Sequence, residues 1–101
     1  MENLETKLED QVLTVTITGR LDTSNAQLCA TELLPQLEGV KTVVFDCKDL
    51  IYISSAGLRV LIQVKKQMNH LHGDVIVRHL SPEIQEVFKM TGFDSILNVE
   101  Q

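Results

Sequence analysis

The chain has 101 residues, of which 44% are apolar, and a formal charge of -5 at neutral pH. That length predicts a single domain spanning residues 1–101, with a core just large enough to sustain itself and no room for a linker or a second domain. The acidic balance, without any cluster of Lys and Arg, argues against nucleic acid and anionic lipid surfaces as partners, because both are held through basic patches.

Two further exclusions follow from local composition. Met1-Glu2-Asn3-Leu4-Glu5 has neither the positive flank nor the apolar run of a signal peptide, and no stretch approaches the length needed to span a bilayer, so no membrane insertion is expected. Cys29 and Cys47 show no metal-ligand spacing with each other or with His70, His72 and His79. They read as small buried hydrophobes of a cytoplasmic protein, with no metal or other cofactor implied.

In chain order, Leu4 to Leu8 alternates weakly and Gln11 to Thr18 strongly, which predicts two strands joined as a hairpin through Glu9-Asp10-Gln11. That turn lacks the favoured Asn-Gly chemistry. Gly19-Arg20-Leu21-Asp22-Thr23-Ser24 then leads into a helix that Asp22, Thr23 or Ser24 could cap. Ala26, Cys29, Ala30, Leu33 and Leu37 recur at helical spacing, and Pro35 predicts an end or kink near Leu34. Thr42 to Cys47 is a continuous apolar run of strand length, as for a strand covered on both faces.

The stretch after it, Asp49 to Leu61, is the centre of the sequence. Ser54, Ser55 and Gly57 stand where the strand's exit becomes a helix of about Ala56 to Leu71. That helix carries a polar stripe of Arg59, Gln63, Lys66, Gln67 and His70 opposite Val60, Leu61, Val64, Met68 and Leu71. His72-Gly73 stops it, Asp74 to Leu80 predicts a strand, and Ser81-Pro82-Glu83 is a strong helix start. Thr91-Gly92-Phe93 ends that helix, and Ile96 to Val99 is a plausible last strand. The order implies an α/β fold: a small sandwich with a mixed sheet of about five strands, an antiparallel first pair followed by parallel crossovers, and three to four helices. Three loops, Arg20 to Ser24, Asp46 to Ser55 and His79 to Glu83, should meet at the carboxyl edge of the sheet.

Enzymatic readings fit poorly. A nucleophile elbow needs glycine two residues before the serine, and Ile53 occupies that place before Ser55. Asp46 ends a strand, but no earlier acidic pair stands ready to hold magnesium as in an aspartate phosphoacceptor. The isolated glycines form no phosphate-cradling loop. From the residues alone, Ser54-Ser55 either simply caps a helix or presents a hydroxyl for phosphorylation, since a phosphate at a helix N-terminus meets free N–H donors. Gly57 serves either tight packing in the first turn or the approach of a partner's backbone.

The same stretch resembles the signature loop of STAS domains, the fold of bacterial anti-sigma factor antagonists. The matching residues are Asp49, Leu50, Tyr52, Ser54, Ser55, Ala56, Gly57 and Leu58; Gly19-Arg20-Leu21-Asp22 resembles the family's Gly-x-Leu-Asp turn, and Val87 to Phe93 its closing helix and glycine. The resemblance covers nearly the whole chain. It implies a non-enzymatic cytoplasmic switch, monomeric when free, whose unphosphorylated form binds a serine-kinase anti-sigma factor and so releases a sigma factor. Phosphorylation would fall on Ser55, with Ser54 as rival, and a serine phosphatase would reset it. The partner-binding residues would be Asp22, Thr23, Ser24, Ser54, Ser55, Ala56, Gly57 and Arg59, with Asp22 beside Ser55 and Tyr52 at the edge of the core. Two positions depart from the family pattern: Ser54 stands where the acid before the phosphoacceptor is usual, and Ala56 where Ser or Thr is frequent. On sequence, Asp22, Asp49 and the acidic balance offer a phosphate no cation. The alternative within the same fold is a non-switching STAS-like subunit docked on a lipid-transport or stress-signalling assembly.

Overall fold

A computed structural model describes residues 1–100. Strands β1 (Leu4–Glu9) and β2 (Val12–Ile17) form an antiparallel hairpin with Glu9 opposite Val12. Its two-residue turn is made by Asp10 and Gln11, both at positive φ (52° and 66°), so the twist-matched turn forms without glycine. Strands β4 (Thr42–Asp46), β6 (Asp74–Arg78) and β7 (Asn98–Glu100) then add in parallel, giving a five-stranded sheet in the order β1-β2-β4-β6-β7. Two short strands, β3 (Gly19–Leu21) and β5 (Leu50–Ile53), pair in parallel with each other as a separate ribbon. The sequence predicts loop over both, and the pairing between them is the difference.

Helices α1 (Ala26–Leu33), α2 (Ser55–His70) and α3 (Pro82–Thr91) bury their apolar edges in one cluster with Leu13, Val15, Ile17, Val43, Phe45, Val75 and Val77. By register these seven belong to a single face of the sheet. The run Val43-Val44-Phe45 is buried throughout, as a strand covered on both faces requires, but helices cover only one of those faces. Val44 points away from the cluster, where its register neighbours are Thr14 and Ile76. The domain thus has two layers, helices on one face and a half-exposed, Thr-rich surface on the other. Helix α1 gives way at Leu34–Gln36 to a 3₁₀ turn containing Pro35, the break that the proline predicts. Helix α3 is capped by Ser81, whose Oγ accepts from Ile84 N at 3.3 Å, and ends at Gly92 in the left-handed conformation (φ 78°).

Cys29 and Cys47 are free and buried. Burial, with a smaller contribution from nearby carboxylates, pushes the Cys29 thiol up to about 11 and that of Cys47 to about 12. Among the described residues no helix is long and apolar enough to cross a membrane.

Candidate functional site at the start of helix α2

The β3–β5 ribbon builds the site. Leu21 pairs with Ile53, and the backbone N–H of Ser54 donates to the Leu21 carbonyl at 3.0 Å. The residues that follow the two strands, Asp22 on one and Ser54-Ser55 on the other, are therefore carried abreast to the same end. At that end the two serines divide their work. Ser54 is the extended cap residue (φ -92°, ψ 175°) and its Oγ accepts from Gly57 N at 3.3 Å. Ser55 is the first residue of α2, is exposed, and makes no side-chain hydrogen bond among the described residues. Its hydroxyl is open to a visitor, in a place where the helix dipole favours negative charge.

Gly57 faces inward. A Cβ there would stand 2.6 Å from the Leu21 carbonyl oxygen and 2.8 Å from Ile53 Cγ1, so of its two uses the structure selects packing. Its absent side chain lets α2 seat against the ribbon, and a partner would meet its neighbours rather than Gly57 itself.

Asp22 caps no helix N–H with its side chain. Its Oδ1 accepts from Ser24 N at 3.0 Å and from Ser24 Oγ at 2.6 Å, and its Oδ2 accepts from Arg20 Nε at 3.2 Å. Those bonds, Ser24 foremost, hold its carboxyl below the usual carboxylate range. Helix α1 begins only at Ala26, whose N–H donates to the Asp22 carbonyl at 2.8 Å, while Asn25 takes the cap position. None of the three predicted caps starts α1, because Asp22 and Ser24 are used on each other in a tight turn.

Sequence reasoning missed several supports of this turn. The Arg20 guanidinium lies 4.3 Å from the centre of the Tyr52 ring while holding Asp22, so Tyr52, 43% exposed, is a surface platform rather than a core edge. Asn3 Nδ2 donates to the carbonyls of Thr18 (2.7 Å) and Arg20 (2.9 Å), and Asn25 Nδ2 also reaches the Arg20 carbonyl at 2.9 Å. The signal available was the Leu50-Ile51-Tyr52-Ile53 run, whose β-branched and aromatic residues favour a strand.

Beside Ser55, helices α1 and α2 leave a shallow groove floored by Ala26, Ala30, Ala56 and Val60, with Thr23 and, as its one charged lining residue among the described residues, Arg59. Of the expected contact residues, Thr23, Ala56 and Arg59 line this groove, while Asp22, Ser54 and Ser55 stand at the end of the ribbon. The Ser24 hydroxyl is turned onto Asp22, and Gly57 is withdrawn. The third edge loop joins the second through His79, whose Nδ1 lies 2.9 Å from Asp46 Oδ1. A carboxylate only accepts, so the ring N–H donates. That bond, opposed by partial burial, keeps the Asp46 carboxyl low.

The match to the STAS domain model extends over residues 3–101. A Bordetella bronchiseptica protein, BtrV, named provisionally as an anti-sigma factor antagonist, is 40% identical over 91 residues, covering 89% of this chain and 78% of its own. Among solved structures, a Thermotoga maritima protein of the same provisional name superposes with a TM-score of 0.90 at 19% identity, over 97% of this chain and 86% of its own. The Bacillus protein SpoIIAA, named an anti-sigma factor antagonist, matches in its unphosphorylated form at TM-score 0.77 (14% identity, 97% of this chain and 87% of its own). Its phosphorylated form matches at 0.76 (15% identity, 97% and 91%). These three structural likenesses speak to the fold.

Proposed function

The chain belongs to the STAS-domain family of anti-sigma factor antagonists, and from that premise we propose that it acts by partner switching. Unmodified, it binds a serine-kinase anti-sigma factor across the edge formed by Asp22, Thr23, Ser54, Ser55, Ala56 and Arg59, and so frees a sigma factor. The kinase then transfers the γ-phosphoryl group of its ATP to Ser55: the Oγ–P bond forms, the bond from that phosphorus to ADP breaks, and the hydroxyl proton leaves with a base of the kinase. Hydrolysis of the ester by a serine phosphatase restores the binding form.

The single observation that carries this reading is the exposed Ser55 hydroxyl on the first turn of α2, without a side-chain hydrogen bond among the described residues, beside a groove. Ser54 is the weaker candidate acceptor because its Oγ already serves Gly57 N. The switch is local. Phosphate adds about -1.5 to -2 charges. At a helix N-terminus of the free domain that charge is tolerated, so the fold persists. Consistent with this, both forms of SpoIIAA share the present fold. Against a partner shaped for a neutral hydroxyl the same charge is desolvated, and a loss of about 3 kcal/mol weakens binding roughly a hundredfold.

Intact-mass measurement after incubation with ATP and the cognate kinase tests the assignment. The parent gains one phosphate and Ser55→Ala gains none; a phosphate retained on Ser55→Ala moves the switch to another hydroxyl.

A further inference from the structure

The acidic balance hides one local exception at the start of α2. The chain has three arginines. Arg20 is engaged by Asp22 and Tyr52, and Arg78 Nε donates to Glu100 Oε1 at 2.7 Å. Arg59 alone has no ion pair or hydrogen bond among the described residues, and it is exposed. It stands four residues on from Ser55 in the same helix, a spacing that puts two side chains on one face about one turn apart. Side chains in a helix lean toward its N-terminus, so a long one at position 59 reaches back toward position 55. Among the described residues no other charged side chain lines the groove. Asp22, the acid that the ribbon carries to this end, already accepts from Arg20 and Ser24.

We propose that Arg59 is the intramolecular counter-cation of the phosphate on Ser55. This rests on Ser55 being the modified residue. The planar guanidinium takes two phosphate oxygens at once, which an ammonium does less well. Esterification then changes the docking edge twice over: it adds a dianion at Ser55 and draws Arg59 back over the first turn. A partner that engages the free Arg59 with a carboxylate loses that contact at the moment it meets the phosphate.

The test installs phosphoserine at position 55 during synthesis, so no kinase is needed, and follows the ³¹P shift against pH at about 0.1 M ionic strength, where the screening length is about 10 Å. The second ionisation of the phosphate lies near pH 6 when free. A surface pair one turn apart is expected to place it about 0.3 pH lower in the parent than in Arg59→Gln, with Arg59→Lys between. Lys66→Gln, about 16 Å further along the helix and beyond the screening length, should titrate with the parent. Coincident curves for parent and Arg59→Gln, or an equal displacement in Lys66→Gln, overturn the pairing. The unmodified chain is incubated in parallel with the kinase and ATP. If it stays bare there while installed phosphate still titrates low, the switch reading fails and the pairing stands; coincident curves in a chain that the kinase does modify sink the pairing alone.

Discussion

Gly57→Ala puts the seating of α2 to a quantitative test. The added Cβ falls 2.6 Å from the Leu21 carbonyl oxygen and 2.8 Å from Ile53 Cγ1, and the first of these is backbone that cannot swing aside. The same carbonyl accepts from Ser54 N at 3.0 Å, so relieving the clash stretches the bond that fixes the turn. Overpacking of this kind costs about 1–3 kcal/mol, and weakening one part-buried hydrogen bond adds about 1. Against that stands the better helix propensity of alanine, about 1 kcal/mol. The net is a loss of about 2 kcal/mol, or a Tm lowered by about 8–16 °C for a domain of this size. Thermal unfolding followed by circular dichroism reads it directly. A variant as stable as the parent, or more stable, would show that α2 is not held against Leu21 and that propensity governs the position.

Three other outcomes follow from the same geometry. Ser54→Ala removes the cap on Gly57 N and should cost about 1 kcal/mol in urea unfolding while leaving Ser55 open to the kinase; an unchanged midpoint would mean that Ser54 caps nothing. Asp22 and Asp46 both have carboxyls held below the ordinary range in the folded state. Their contribution is therefore fully present above about pH 4 and is lost as pH falls below it. Asp46→Asn should accordingly flatten the fall in stability as pH drops below about 4, and an unaltered acid limb would refute the role given to the His79 bond. Both thiols are buried with raised values, so alkylation at pH 8 should be far slower in native protein than in urea; equal rates would place the cysteines at the surface.

Much of this architecture is written locally. The strict alternation of Val12 to Ile17 gives a strand with one buried face, and Ser81-Pro82 marks the start of α3 because cap and proline act within one turn. The polar stripe from Arg59 to His70 is exposed as its spacing requires. The β3–β5 ribbon escaped notice because strands of three and four residues are too short to show a period, and their partner lies some thirty residues away. The start of α1 was ambiguous for another reason: Asp22, Thr23 and Ser24 could each cap, and only the Arg20 and Ser24 bonds decide that Asp22 does not. An apolar run such as Val43-Val44-Phe45 likewise cannot reveal that helices cover just one of its sides. At the candidate site, Ser55 and Asp22 were legible from the family motif, whereas Arg20, Tyr52, Asn3 and Asn25 act through contacts that no local pattern encodes.

The most direct measurement is the affinity of Ser55→Ala and Ser55→Asp for the cognate kinase, taken side by side by titration calorimetry with Ser54 intact in both. A switch read at the Ser55 oxygen predicts that the alanine form binds like the unmodified chain and the aspartate form far more weakly, approaching the roughly hundredfold loss expected of phosphate. Equal affinity of the two variants would mean that charge at this hydroxyl does not govern docking.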